Sequence, residues 1–381
     1  MTAVEIAGIG MHPFGRFDGV SVTDMGVHAV RAALTDAGID ATERPGFQAA
    51  FCGTAYSGVA AGHKVLSALA RTGMPMVDVE AGCASGGAAL GLAAAAIRAG
   101  QYDTVLVFGM EKMPKGIIRS SFFEPWREES GLAATPAYFA LRAQRLMRER
   151  EITKQDLARV VVKNRAHGAL NADAMYQSET TIEAVLGSRL VCDPLHLFML
   201  CSPNEGAAAV VLRRGTTGSP SAVRLNAAVL RSHLPGSVLG EATPLAGIDD
   251  AAITPPTTLA AEAAYAEAGL GPHDVDVAEC QDTDAARELL GWEELGFCAP
   301  GDQATVLASG AASLGGARPI NPSGGLLSKG EPLGASALGQ VVELTRQLRG
   351  TAGPRQVQGA RVALAHTVGR GANASVTILS R

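Results

Sequence analysis

Two parts of this 381-residue chain are written alike, and that internal repeat constrains the fold more than any other feature. Ala33-Leu34-Thr35-Asp36-Ala37-Gly38-Ile39 and Ala264-Tyr265-Ala266-Glu267-Ala268-Gly269-Leu270 each read as a helix closing on a glycine. Each is followed by a short polar linker and an apolar strand, Phe47 to Cys52 in one case and Val275 to Cys280 in the other. A second pair of segments keeps a fixed offset. Gly82-Cys83 leads to Ala89-Leu90-Gly91, and Gly330-Glu331 leads to Ala337-Leu338-Gly339, so positions 83 and 331, like 90 and 338, stand 248 residues apart. Duplicated halves put Glu331 where the first half has Cys83. Two such helix starts, related by a pseudo-twofold axis, point into one cleft and bring a carboxylate towards a thiol.

Cys83 stands in Val79-Glu80-Ala81-Gly82-Cys83-Ala84-Ser85-Gly86-Gly87, where an extended run (Met76 to Glu80) gives way to a helix of small apolar residues (Ala88 to Arg98). Unpaired N–H groups and the helix dipole at such a junction favour thiolate over thiol. They also offer donors to an oxyanion formed when sulfur attacks a carbonyl. A free cysteine is equally ordinary core material, so the local pattern alone leaves both readings open.

Composition narrows the class. Hydrophobic residues make up 47% and aromatics 4%, with 45 glycines, which suits helices packed closely on sheets and not a disordered chain. A net charge of −5 without a basic stripe speaks against nucleic acid as a partner. The longest apolar stretch, near Ala88 to Ile97, is too short to span a bilayer, so no membrane is expected. The six cysteines form no CxxC pair and the histidines show no ligand spacing, so no metal is expected. The opening Met1 to Gly10 reads as a strand without a charged leader, which predicts a cytoplasmic protein with reduced thiols. Residues 1–215 read as a first half, with a helical loop domain at about 118–192, and 220–381 as a second half, with Arg213 to Pro220 between them.

The chain resembles the thiolase superfamily, in particular the thiolases related to sterol carrier protein and the lipid-transfer proteins. The likeness is carried by Gly8-Ile9-Gly10-Met11-His12-Pro13-Phe14-Gly15, the Cys83 segment, Gly109-Met110-Glu111-Lys112-Met113, and Asp193-Pro194-Leu195 with Cys201 to Ala208. It continues in Glu288 to Leu290 with Glu294 to Cys298, in Asn321 to Gly330, and in His366-Thr367-Val368-Gly369-Arg370-Gly371. The resemblance implies a five-layered αβαβα fold of two similar halves with a helical loop domain in the first. It also implies a homodimer or a dimer of dimers, with a small zinc-ribbon/OB-fold protein as a possible partner. The implied chemistry is acyl transfer from a CoA thioester, as substrate rather than resident cofactor, through Cys83.

Three positions depart from that pattern. Where familiar members have Gly-His-Pro, this chain has Gly330-Glu331-Pro332, and an ionised glutamate accepts hydrogen bonds but cannot donate one to an oxyanion. Gln281-Asp282-Thr283-Asp284 replaces Asn-Glu-Ala-Phe or His-Asp-Cys-Phe, keeping an amide at Gln281 but placing Thr283 where some relatives have a second catalytic cysteine. The other location for that cysteine, near Thr367, holds none. His366, with an ordinary pKa near neutrality, is the expected general base, Glu331 a second titrating group, and Gly369 with the Cys83 amide the expected oxyanion site. The main expectation is a thiolase-like acyltransferase. The alternatives are a retro-aldol lyase on steroid or acyl-CoA side chains, or a non-catalytic thiolase-like subunit.

Overall fold

The structure is a computed structural model that describes residues 2–40, 42, 44–116, 125–129, 134–215, 222–235, 253–369 and 373–381. The start of the expected loop domain, most of the expected linker and Arg370-Gly371 lie outside the described residues. The first half runs β1 (Val4–Gly15), α1 (Val22–Asp36), β2 (Ala49–Gly53), α2 (Ala61–Ala68), β3 (Met76–Val79), α3 (Ser85–Arg98) and β4 (Thr104–Lys112). Then come α4 (Pro125–Glu129), α5 (Thr135–Arg150), α6 (Lys154–Ala169), α7 (Ile182–Gly187), the hairpin of β5 (Leu190–Cys192) and β6 (Leu195–His196), and the returning strand β7 (Glu205–Arg214). The second half runs β8 (Val223–Arg231), α8 (Pro256–Ala268), β9 (Val277–Glu279), α9 (Ala285–Glu294), α10 (Gln303–Ala308), α11 (Gly325–Lys329), α12 (Leu333–Arg349), β10 (Val362–Gly369) and β11 (Asn373–Ser380).

Strand order is β3-β2-β4-β7-β1-β8-β11-β10-β9. It is one arrangement used twice, β2-β4-β7-β1 and β9-β10-β11-β8. The pairs β2–β4 and β9–β10 are parallel, and the remaining pairs within each set are antiparallel. Ile320, bridged in parallel to Ala278, holds the place that β3 has beside β2. The two sets touch through Glu5–Arg224 and Ile6–Val223. The repeat seen in the sequence extends to the helices: α3 starts at Ser85 and α12 at Leu333, again 248 positions apart.

Layering follows from which faces are apolar. Helices α1 and α2 cover one side of the first set, α8 covers the far side of the second, and α3 and α12 lie between, touching strands of both. The middle core joins Ala89, Leu90, Ala93, Leu338 and Val341 to strand residues such as Val107, Ala208, Leu225 and Ala363. This is the thiolase fold. The central layer is tight because its contacts are backbone to backbone. A Cβ on Gly109 of β4 would fall 2.1 Å from the carbonyl oxygen of Gly334, in the first turn of α12. Any larger side chain there would push α12, and the loop preceding it, off the sheet.

The insertion between β4 and β7 packs on the second half. Phe139, Leu146, Leu157, Val161 and Leu195 share a core with Leu289 and Trp292. Ion pairs fix the contact: Arg142–Asp284 and Lys163–Glu288 (2.8 Å) are buried, and Arg150–Glu293 (2.7 Å) is partly buried. Asp284 also caps α9, accepting from the Arg287 amide at 3.0 Å. Breaking one partner of a buried pair strands the other charge and costs about 3–5 kcal/mol. Arg142→Met is therefore expected to lower the unfolding free energy in urea by that order. A change below about 1 kcal/mol would show that the insertion is not held this way.

Candidate active site

Four loops converge on a cavity of about 390 Å³, lined by Cys83, Cys201, Thr283 and Glu331. Cys83 sits in a 3-10 turn, Gly82–Ala84, immediately ahead of α3. Ser85 ties that turn: its Oγ accepts from the Ala81 amide at 2.9 Å and donates to the Gly82 carbonyl at 2.6 Å. The thiol is 7% exposed and packs on Met113, Leu333 and Ala55. Gly369 lies against the same turn, since a Cβ there would stand 1.9 Å from the Ala81 oxygen and 3.1 Å from the Ala84 nitrogen.

Glu331 is reached through α11. Asp282 anchors that short helix by accepting from the Leu326 amide at 2.7 Å and the Leu327 amide at 3.1 Å. Burial and the neighbouring Glu288 push the Asp282 carboxyl well above its ordinary value. Glu331 itself is 4% exposed and bound through its backbone, its amide donating to Ser202 at 2.9 Å and its carbonyl accepting from Asn204 at 3.3 Å. Its side chain accepts from Gln281 Nε2 at 3.0 Å and from Cys201 Sγ at 3.0 Å. Both partners donate, so the carboxylate is held as an acceptor. Burial, then the charge of Glu331, push the Cys201 thiol well above its ordinary value, which keeps it a protonated donor.

The structure brings together Cys83, Glu331, Gln281, Thr283 and Gly369, but not His366. The expected base is fully buried against α8, with Nε2 3.1 Å from Thr257 Oγ1, and does not line the cavity, which Val368 on the same face of β10 does. Thr367, directed by strand alternation to the opposite face, is 1% exposed. The Gln281 amide nitrogen donates to Glu331. Sequence reasoning passed over Cys201. Its contact with Glu331 is a property of the packed structure.

Burial, reinforced by Arg287, lowers the His366 pKa well below its ordinary 6.5. Burial likewise pushes His167 down to about 3. Both are neutral in the folded protein. Unfolded, they take up protons below about pH 6.5, so stability present above that pH is lost as pH falls. His366→Gln is accordingly expected to flatten the fall in melting temperature between pH 6.5 and 5 that the unaltered protein shows. An unchanged slope would return His366 to consideration as a titrating, solvent-connected group.

Comparison with known proteins gives the class. The family model described as Thiolase, N-terminal domain matches residues 4–187, and the one described as Thiolase C-terminal domain-like matches 243–381. The acetyl-CoA acetyltransferase of Methanothermobacter thermautotrophicus is 34% identical over 100% of both chains. The benzoylsuccinyl-CoA thiolase subunit BbsB of Thauera aromatica is 35% identical, covering 98% of this chain and 96% of that one. Sterol carrier protein 2 of Gallus gallus is 34% identical, over 98% of this chain and 71% of its own. Among solved structures, the Ltp2-ChsH2(DUF35) aldolase matches with a TM-score of 0.84 at 27% identity, covering 99% of this chain and 97% of that one. Human mitochondrial 3-ketoacyl-CoA thiolase, at TM-score 0.72 and 17% identity over 100% and 99%, shares the fold. The chain belongs to the thiolase family. Within it, the chain is a thiolase-like acyltransferase.

Proposed function

We propose that this protein moves an acyl group through a thioester on Cys83, with Glu331 as the proton carrier. The observation that carries this reading is the shared cavity in which Cys83 at one helix start faces Glu331 at the other, the latter held as an acceptor by Gln281 and Cys201. Cys83 Sγ attacks the carbonyl carbon of a CoA thioester, and its proton passes to the Glu331 carboxylate. That transfer neutralises Glu331 as the oxyanion develops, which removes the repulsion a fixed carboxylate would exert. The backbone of the Cys83 turn, with Gly369 packed against it, supplies the oxyanion donors. The carbon–sulfur bond to CoA then breaks, and the departing thiolate takes the proton from Glu331. An acceptor then gives its proton to Glu331 and attacks the acyl carbon, the carbon–sulfur bond to Cys83 breaks, and Glu331 returns that proton to the Cys83 thiolate.

A second reading is retro-aldol cleavage of an acyl-CoA side chain, in which Glu331 takes a hydroxyl proton and Cys83 carries no acyl group. The fold match to the Ltp2-ChsH2(DUF35) aldolase favours it, as do Thr283 and Thr367 where a second cysteine was expected. That same match supports assembly with a second protein of the small zinc-ribbon/OB-fold type. The strand order ends at β3, with Val77 45% exposed, which supports pairing with a second copy of the chain into a homodimer or a dimer of dimers. No helix among the described residues is long and apolar enough to cross a membrane.

Intact-protein mass spectrometry after incubation with acetyl-CoA is expected to show one acetyl adduct, lost in Cys83→Ala. Glu331→Gln is expected to slow its formation by about 10²–10⁴-fold, the usual contribution of a general acid–base group. Aldehyde or ketone release from a β-hydroxyacyl-CoA that survives Cys83→Ala, with no adduct, would select the aldolase reading instead.

A further inference from the structure

The interior holds seven buried cationic side chains among the described residues: Arg71, Arg142, Lys163, Arg165, Arg287, Lys329 and Arg355. Five of them face carboxylates, in the pairs Arg142–Asp284, Lys163–Glu288, Arg287–Glu294, Lys329–Glu279 and Arg355–Glu343. Arg71 donates to the carbonyls of Pro45 at 2.6 Å and Asp40 at 3.0 Å. Arg165 differs from all of these. It is 8% exposed, its Nε is buried without a hydrogen-bond partner, and no carboxylate among the described residues is paired with it. Its guanidinium lies 3.9 Å from the centroid of the Tyr176 ring and 5.6 Å from that of Phe198. All three residues line the cavity that contains Cys83.

The neighbours of Arg165 on α6 sharpen the contrast. Asn164 bonds Asp282 at 2.8 Å and Glu288 at 2.6 Å, and His167 meets the Asn321 carbonyl at 2.9 Å. Lys163 donates to the Ile320 carbonyl at 2.9 Å as well as pairing with Glu288. An unpaired buried charge is among the least favourable groups a fold can carry, and aromatic stacking offsets only part of its desolvation. Burial already lowers the Arg165 pKa. A guanidinium stacked on a ring keeps its planar edge of N–H donors open to a carboxylate.

We propose that Arg165 binds an anionic group on the substrate, and that this group is a carboxylate carried by the acyl chain. The protein then selects dicarboxylic acyl thioesters over neutral ones of the same length. The proposal deepens the acyl-transfer reading, resting on it only in taking the cavity to be the acyl site. The shared chemistry also fits the phosphates of CoA, so carriers with and without phosphate separate the two sources.

The test is calorimetric binding to the full chain carrying Cys83→Ala, which binds without turnover. The probes are succinyl and butyryl thioesters of CoA and of N-acetylcysteamine. Succinyl is expected to bind about tenfold or more tightly than butyryl on either carrier, the size of a charge-assisted hydrogen-bond pair. Adding Arg165→Met is expected to bring that ratio close to one on both carriers. Because Arg165 has no internal carboxylate, the same substitution is expected to leave the melting temperature of the free protein level or higher. A succinyl-to-butyryl ratio near one before substitution would overturn the proposal. So would an Arg165→Met effect that weakens both CoA esters equally and spares the N-acetylcysteamine esters, which would assign the guanidinium to CoA phosphate. Failure of both Arg165→Met and Arg165→Lys to fold would assign it to structure and overturn the proposal likewise. Absence of an acyl adduct on Cys83 would contradict the acyl-transfer reading while leaving this binding ratio measurable.

Discussion

Backbone contact between the start of α12 and the first-half sheet is the constraint on which the site depends. Gly334 sits so close to Gly109 and Gly53 that no side chain fits between them. That contact brings the loop ahead of α12 over the end of β4, and with it Glu331. The mirrored contact, Gly369 against Ala81 and Ala84, brings the end of β10 over the Cys83 turn. Each half therefore completes the other's active loop. In the proposed function the duplicated topology matters because its two helix starts carry different side chains, Cys83 as nucleophile in one and Glu331 as proton acceptor in the other.

Around that pair the electrostatics are ordered by burial. Asp282, Glu288, Lys163, Asn164 and Asn321 form a dry network beneath α11 in which Lys163 pairs with Glu288, while burial and Glu288 push the Asp282 carboxyl up. Glu331 lies at the boundary of this network and the cavity, with Gln281 and the protonated Cys201 directing donors at it. The site thus presents a carboxylate where a histidine would present a donor. In the proposed reaction an oxyanion beside Cys83 relies on backbone amides, and proton movement rather than fixed positive charge relieves the repulsion.

Much of this was legible in the sequence. The offset of 248 residues gave the topology and placed Glu331 opposite Cys83, because both relations follow from duplication alone. His366 lies away from the cavity for a physical reason. β10 is covered on both faces, so its residues show no apolar–polar alternation from which a cavity-facing position could be read; Val368 lines the cavity, and neither His366 nor Thr367 does. Cys201 and Arg165 were not legible, since a thiol's donor role and a guanidinium's lack of a carboxylate are properties of tertiary neighbours. In α6 the run Lys163-Asn164-Arg165 shows three polar residues of similar appearance, and only the packed structure separates the paired ones from the exception.

The central claim is that the two helix starts act on one thioester from opposite sides. A crystal structure of the Cys83→Ala chain with succinyl-CoA bound tests it most directly. The account expects the thioester carbonyl carbon above position 83, its oxygen towards the Gly82–Ala84 turn and Gly369, and the Glu331 carboxylate facing the sulfur. A thioester seated elsewhere in the cavity, with Glu331 turned away from it, would contradict the account.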